Sequence, residues 1–383
     1  MAKKAYIGVG NTARKVKKGY IGVGGKARTI KKAYIGIGGA ARPCWSGGEL
    51  AYYGEITPLS TTSYELAAAS NNGYAMFAGG YYGSGCRDKL DAYDASLTKT
   101  TPNTLVIPVK CLAATSVGKY ALFGGGQYGS ATLYTKSEMN AFDDSFTRTS
   151  TESMYLSAAR GYMSAATIGD HAIFAGGGTA TLGSGSRSAA ADSYNADLTR
   201  STLTSLAESK TVLAAATIGD HAVFAGGYYS SGYVTNSVDA YNSSLTKGTA
   251  TSLSVARGYL AAATVGGYAL FAGGSNSGGT VQSTVDAYDK SLTRTAATGL
   301  STARSRLSAT AVEGFALFGG GYNRGVSNAV DAYDENLTRT IQTPLVTARY
   351  DLAAATAGNY ALFGGGYYGS SKYDDEVVAY AVV

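Results

Sequence analysis

The chain has 383 residues, 45% of them hydrophobic and 15% charged, with 52 glycines and 31 tyrosines but only two histidines and three cysteines. That length allows a sizeable continuous core. The odd cysteine number, with Cys44, Cys86 and Cys111 in no C-x-x-C pair, argues against a disulfide framework, and the scarcity of histidine argues against a metal centre.

The net charge of +6 is concentrated at the start of the chain. Eleven of the 32 basic residues and no acidic ones lie in residues 1–42, which leaves 21 basic against 26 acidic residues beyond, a net of about −5. Residues 1–46 are also a repeat system. Lys3-Lys-Ala-Tyr-Ile-Gly-Val-Gly, Lys17-Lys-Gly-Tyr-Ile-Gly-Val-Gly and Lys31-Lys-Ala-Tyr-Ile-Gly-Ile-Gly recur at a 14-residue step, each closing on Ala-Arg. Turns at Gly10-Asn11, Gly24-Gly25 and Gly38-Gly39 would fold each unit into a short β-hairpin. Such ribbons are marginal alone and call for a partner surface. Three readings of this leader stand side by side: docking on an acidic protein assembly, binding to nucleic acid or another acidic polymer, and a solvated tail. The ordered Tyr-Ile-Gly-Val beat favours docking, with Tyr6, Lys17, Lys18, Tyr20, Lys31, Lys32 and Tyr34 as its contact residues.

From residue 47 the chain repeats on a longer period. A Phe followed within one residue by Gly-Gly occurs at Phe77, Phe123, Phe174, Phe224, Phe271, Phe318 and Phe363, at steps of 46, 51, 50, 47, 47 and 45 residues. That period fits one four-stranded blade per repeat, so residues 47–383 are predicted to form an all-β, seven-bladed β-propeller. In the clearest copy the strands are expected at Leu260 to Val265, Tyr268 to Ala272, Val285 to Tyr288 and Leu292 to Thr295. The first strand reads Leu-Ala-Ala-Ala-Thr in nearly every copy, a poor β sequence that suits a crowded position at the central axis. The last repeat stops after three strands. Residues 50–60 supply the missing one, with Ile56 to Ser60 as the expected outer strand, so the ring would close by pairing of 50–60 with 360–383.

The Gly-Gly doublet, the downstream Asp-x-Tyr-Asp and an Arg ahead of the next copy (Arg160, Arg257, Arg304, Arg349) resemble the Kelch propeller pattern over roughly nine-tenths of the chain. The fourth-strand Trp of that pattern is replaced by Thr-Arg-Thr, and the only Trp is Trp45. The tandem leader units followed by Ala41-Arg-Pro-Cys-Trp-Ser-Gly resemble N-terminal segments of tail-associated structural proteins of phages and prophages of Gram-positive bacteria. That resemblance implies an N-terminus anchored to the virion and a C-terminal domain facing the host.

No secretory signal or membrane-spanning stretch is readable, which fits cytoplasmic synthesis and assembly into a virion without membrane insertion. A catalytic reading finds little support. His171 and His221 occupy a strand position that is aromatic in the other copies. Asp91, Asp239, Asp286 and Asp331 recur at one position, as a turn or inter-strand hydrogen-bonding device would. No carboxylate pair peculiar to one or two blades is evident, and neither a cofactor nor a metal is expected. Nor do the residues support carrying over the copper chemistry of Kelch-like oxidases.

Ligand recognition is instead expected in the variable loops after each Gly-Gly, because the framework is fixed and the loops are free to differ. Their candidates are Tyr81, Tyr82, Tyr128, Tyr228, Tyr229, Tyr233, Tyr322, Arg324, Tyr367 and Tyr368, in the Tyr/Ser/Gly/Asn palette of adaptable binding surfaces on which sugar rings stack. The sequence thus points to a non-enzymatic virion protein of tail-tip or fibre type, present in several copies in a symmetric assembly. Its leader would dock on other virion proteins and its propeller would bind a host cell-surface receptor, a polysaccharide or protein, with glycan the leading choice. The alternative is a purely structural subunit whose propeller contacts only other virion proteins.

Overall fold

The computed structural model describes residues 49–83, 85–129, 134–179, 186–369 and 372–382, together with the backbone of six leader strands. Those six pair as three antiparallel hairpins: Tyr6–Val9 with Thr12–Lys15, Gly19–Val23 with Lys26–Ile30, and Lys32–Ile37 with Ala40–Ser46. Of the expected docking residues, Lys17, Lys18 and Lys31 lie outside the described residues. Tyr6, Tyr20, Lys32 and Tyr34 fall on these strands.

The remainder is a seven-bladed β-propeller, each blade an antiparallel sheet of four strands. Blades are numbered here from the one whose inner strand is Ala67–Asn71 to the one whose inner strand is Ala353–Ala357. Blade 5 shows the plan: inner strand Ala261–Val265, then Tyr268–Ala272, Val285–Tyr288 and outer strand Arg294–Ala297. One short 3-10 turn, Glu152–Met154, is the only helical segment among the described residues, and no helix there is long and apolar enough to cross a membrane.

The small residues of the inner strands have a visible cause. Seven inner strands crowd round one axis, and their threonines bond sideways to the neighbouring blade: Thr217 Oγ1 donates to the Thr167 carbonyl and Thr264 Oγ1 to that of Thr217, both at 2.6 Å. Between blades the second-strand phenylalanines fill the space. Phe224 is fully buried against Ile173, Ala175 and Leu206 of blade 3 and meets the Tyr241 ring edge-on at 5.9 Å. The apolar cores are therefore shared between blades, which couples the stability of each to its neighbour.

Three predicted strand limits are displaced, each for a local reason. The outer strand that closes the ring is Leu50–Ile56, paired with Val377–Val382, and not Ile56–Ser60. Pro58 cannot donate to a ladder, and the segment after Ile56 instead crosses to blade 1, where Tyr93 Oη donates to the Thr57 carbonyl and Ser60 N–H to Asp91. The outer strand of blade 5 begins at Arg294, because Leu292 turns left-handed (φ +61°). Asp289 Oδ1 caps that turn by accepting the Ser291 and Thr293 N–H groups. The inner strands begin one residue after the leucine, or after Met163 in blade 3, because the residue before it is left-handed in all seven blades, at φ between +50° and +56°.

The recurrent aspartates sit in the middle of the third strands and hold no turns. Asp286 and Arg257 are fully buried and paired at 2.9 Å, as are Asp331 and Arg304 at 2.8 Å and Asp239 and Lys210 at 3.1 Å. Two blades lack the cation: blade 1 has Ser63 in its place and keeps Asp91, bonded by Ser60 and Thr101, whereas blade 2 has Val109 in place of the arginine and Asn140 in place of the aspartate, its Oδ1 accepting the Val106 N–H at 2.9 Å. Blade 7 has Val378 at the aspartate position, and Arg349 turns instead to Asp374 and Glu376.

Close approach explains the glycine doublets. Gly226 has φ +67°, and a Cβ there would lie 2.4 Å from the Arg257 carbonyl oxygen. Gly226→Ala is expected to destabilise the propeller by at least the ~1–3 kcal/mol of a left-handed non-glycine residue. A urea midpoint equal to that of the parent protein would show that the doublet can relax.

Candidate functional site

The loop between the second and third strands and the segment leading into each inner strand leave the sheet at the same end. Isolated bridges join them blade by blade, among them Tyr64 to Tyr81, Lys110 to Gln127, Gly258 to Ser275, Ser305 to Tyr322 and Tyr350 to Tyr367. One face of the ring therefore carries both the variable loops and the mouth of the central axis.

At that mouth stand the seven left-handed residues, one per blade: Glu65, Cys111, Tyr162, Val212, Tyr259, Arg306 and Asp351. Their backbones close a circle of hydrogen bonds, each N–H donating to the carbonyl of its predecessor, from Cys111 to Glu65 (2.8 Å) round to Glu65 on Asp351 (2.9 Å). The conformation is costly for most of these side chains, and above all for a β-branched valine. The closed circle compensates by satisfying seven backbone donors and acceptors at once. Within it, a cavity of about 200 Å³ is lined by these seven residues and by the leucines that follow most of them.

The cavity is two-sided. Around Glu65, Arg306 and Asp351 it is charged: Arg306 Nη1 lies 2.8 Å from Asp351 Oδ2, and Lys110 Nζ lies 2.8 Å from Glu65 Oε2. Around Cys111, Tyr162, Val212 and Tyr259 it is apolar or aromatic. The Arg306 guanidinium covers the Tyr259 ring at 4.5 Å and also faces Tyr350 at 5.5 Å, and Lys110 sits over Tyr81 at 4.8 Å. Burial pushes the Asp351 carboxyl up to about 7; Arg306 opposes this and Glu65 adds to it. Burial draws Arg306 down, but Asp351, Tyr259 and Glu65 more than reverse it. Burial also raises the Cys111 thiol well above its ordinary value, so it is not a thiolate at neutral pH. Tyr162 is raised for the same reason, with Cys111 contributing, and its hydroxyl meets Gln127 Oε1 at 3.0 Å.

Glu65 and Asp351 are thus two carboxylates of one cavity, peculiar to blades 1 and 7, a pair that the sequence did not reveal. Each is tied to a cation, so the arrangement is one of compensated charge. Among the described residues no cluster of His, Cys, Asp and Glu is arranged to hold a metal ion. His171 and His221 are half-buried and begin second strands.

The predicted loop residues divide into three groups. Tyr367, Tyr81, Tyr82 and Tyr322 join a continuous aromatic patch over blades 6, 7 and 1. Tyr322 meets Tyr350 at 5.3 Å, Tyr350 meets Tyr367 at 5.3 Å, Tyr367 meets Tyr64 at 5.5 Å, and Tyr64 meets Tyr81 at 5.8 Å and stacks on Tyr373 at 5.3 Å, whose ring Tyr82 meets at 5.0 Å. Tyr128, Tyr229, Tyr233 and Arg324 are exposed elsewhere on the loops, Tyr229 beside Tyr233 at 6.4 Å, and Tyr368 is half-buried. Tyr228 is not available to a ligand: it is 5% exposed, its hydroxyl lies 3.2 Å from Ser275 Oγ, and its ring supports Tyr259 edge-on.

Tyr64, Tyr350, Tyr373 and the seven-residue circle escaped the sequence reading. The signal was present as one column, the residue before each leucine or, in blade 3, before Met163, that varies freely inside an otherwise constant motif.

No known family model matches the chain, and no curated protein matches it. Among solved structures it is similar to one titled "Structure of YjhT", with a TM-score of 0.60 and 12% identity, over 75% of this chain and 99% of that one. At that identity the likeness is one of fold, and the fold is a β-propeller.

Proposed function

We propose that the protein is a non-enzymatic virion component of a phage or prophage of Gram-positive bacteria, of tail-tip or fibre type. Its residues 1–46 dock on the particle, and its Kelch-like propeller turns the axial face toward a glycan of the host surface. The observation that carries the recognition half of this reading is convergence: the seven variable residues of the circle and the aromatic patch of blades 6, 7 and 1 share one face around one cavity. Framework residues repeat from blade to blade, whereas those exposed on this face differ, as a recognition surface requires. Tyrosines give broad contact at low entropy cost, and shallow contacts of ~0.5–1.5 kcal/mol each add up when many copies are displayed together. The docking half rests on the leader's charge and regular hairpins, which suit an acidic assembly.

The test displays the protein on a tetrameric scaffold and measures its binding to Gram-positive cells and their isolated wall polysaccharides. Saturable binding to some strains is expected, with a loss of tenfold or more on changing Tyr82, Tyr229 and Tyr322 together to Ala. These three are exposed, so their removal leaves the fold intact. Failure to bind any strain that supports the particle would end the host-attachment reading in favour of a subunit that contacts only other virion proteins.

A further inference from the structure

The charges of the axial cavity say more about what enters it, given that this face is a recognition surface. The one cation of the cavity wall, Arg306, is already matched. Arg306 is paired with Asp351 inside the cavity, and Glu65 of the wall is held by Lys110 from just outside it, each at 2.8 Å. An anionic guest meets the carboxyl groups of Glu65 and Asp351 and no unpaired cation of the wall, and a cationic guest meets Arg306 with both carboxyl groups already engaged. A guest rich in hydroxyls suits this wall, since a hydroxyl donates to a carboxylate while accepting from the neighbouring guanidinium, and charge-assisted hydrogen bonds are the strong ones.

The opposite wall sets the second requirement. Tyr162 and Val212 present a ring and methyl groups two or more places round the circle from Arg306 and Asp351, with Leu213 and Leu260 beside them. The guest must therefore have one polar edge and one apolar face. Volume sets the third: about 200 Å³ is room for one small ring and falls short of the ~300–1,000 Å³ typical of pockets for larger ligands. Tyr64 and Tyr350 each stand one residue ahead of a charged residue of the circle, and with Tyr81 and Tyr367 they form a run of contacting rings on which further units of a chain would rest. We infer that the cavity takes a single uncharged pyranose, the terminal residue of a surface glycan. Its hydroxyl edge faces the Arg306–Asp351 pair and Glu65, and its C–H face lies against Tyr162 and Val212.

The test titrates the full chain with methyl glycosides of glucose, galactose, mannose and N-acetylglucosamine, and with methyl glucuronide and glucosamine, followed by saturation-transfer NMR. At least one uncharged glycoside is expected to saturate, and to bind tenfold or more tighter than either charged sugar. Asp351→Asn frees the Arg306 charge; the uncharged glycoside should then weaken about tenfold while the glucuronide gains. Preference of the parent protein for a charged sugar, or no saturation by any uncharged one, overturns the inference without recourse to a variant. So does a folded Asp351→Asn protein whose selectivity is unchanged. If tetramers bind cells, and neither excess glycoside nor Asp351→Asn reduces that binding, the cavity assignment fails while the recognition face stands. Saturation by an uncharged glycoside in a protein that binds no cells leaves the cavity assignment standing and removes the host-attachment reading.

Discussion

Arg304→Val should cost about 3–5 kcal/mol in urea unfolding, the penalty for leaving one member of a buried ion pair without its partner. Arg304 is fully buried, and its side chain is the best satisfied of the buried arginines. Nη1 reaches Asp331 at 2.8 Å, Nε donates to the Gly320 carbonyl at 2.8 Å, and Nη2 donates to the Phe318 carbonyl at 3.0 Å. With it gone, Asp331 would keep only Arg339 as a cation, at 3.9 Å, together with Ser301. Blade 2 shows how the same position works without charge, since Val109 and Asn140 replace the pair and Asn140 accepts the Val106 N–H as Asp331 accepts that of Ser301. Arg304→Val combined with Asp331→Asn should therefore recover most of the loss, to within about 1–2 kcal/mol of the parent protein. Equal losses for the single and double variants would mean that Arg304 acts through its carbonyl contacts and not through Asp331.

What could be read from the sequence was whatever repeats. The Phe-Gly-Gly period gave the number of blades, and the three-strand last repeat gave closure between the two ends of the ring, because both are counts of copies. Backbone conformation was much less legible. Leu292 and its counterparts look like strand residues, yet they turn left-handed; nothing in a leucine signals φ +61°, and the turn is held by Asp289, three residues earlier, whose Oδ1 accepts the N–H groups of Ser291 and Thr293. The same blindness hid the axial circle. Glu65, Arg306 and Asp351 are far apart in the chain and read singly as solvated charges, and only a left-handed turn common to all blades aims them inward. The loops after Gly-Gly are legible as candidates because they differ inside a fixed framework. They do form the rim, but the most varied chemistry stands one residue ahead of the most constant leucine. Tyr228 errs in the opposite sense, since Tyr-Tyr in a loop reads as exposed while its first ring is packed beneath Tyr259.

Phe224→Ala should cost a further about 3–5 kcal/mol by itself, as for a large aromatic removed from a rigid core. The ring is fully buried between blades 3 and 4, touches the cluster of Ile173, Ala175, Leu206 and Leu213, and meets Tyr241 edge-on. Collapse into the vacated space is opposed from two sides. The inner strands are already held to one another through Thr217 and Thr167, and the ring is closed by Leu50–Ile56 on Val377–Val382, so neither blade can move in without straining its other neighbour. Phe224→Leu, which keeps most of the volume, should cost markedly less, and Ile341→Ala, at a side chain 65% exposed, should stay within about 0.5 kcal/mol. Because each phenylalanine is shared between two blades, the Phe224→Ala protein should still unfold in one transition at a lower urea midpoint. A loss under about 1 kcal/mol, or a separate early transition of one blade, would show that the blades pack independently and that closure, not inter-blade filling, holds the ring together.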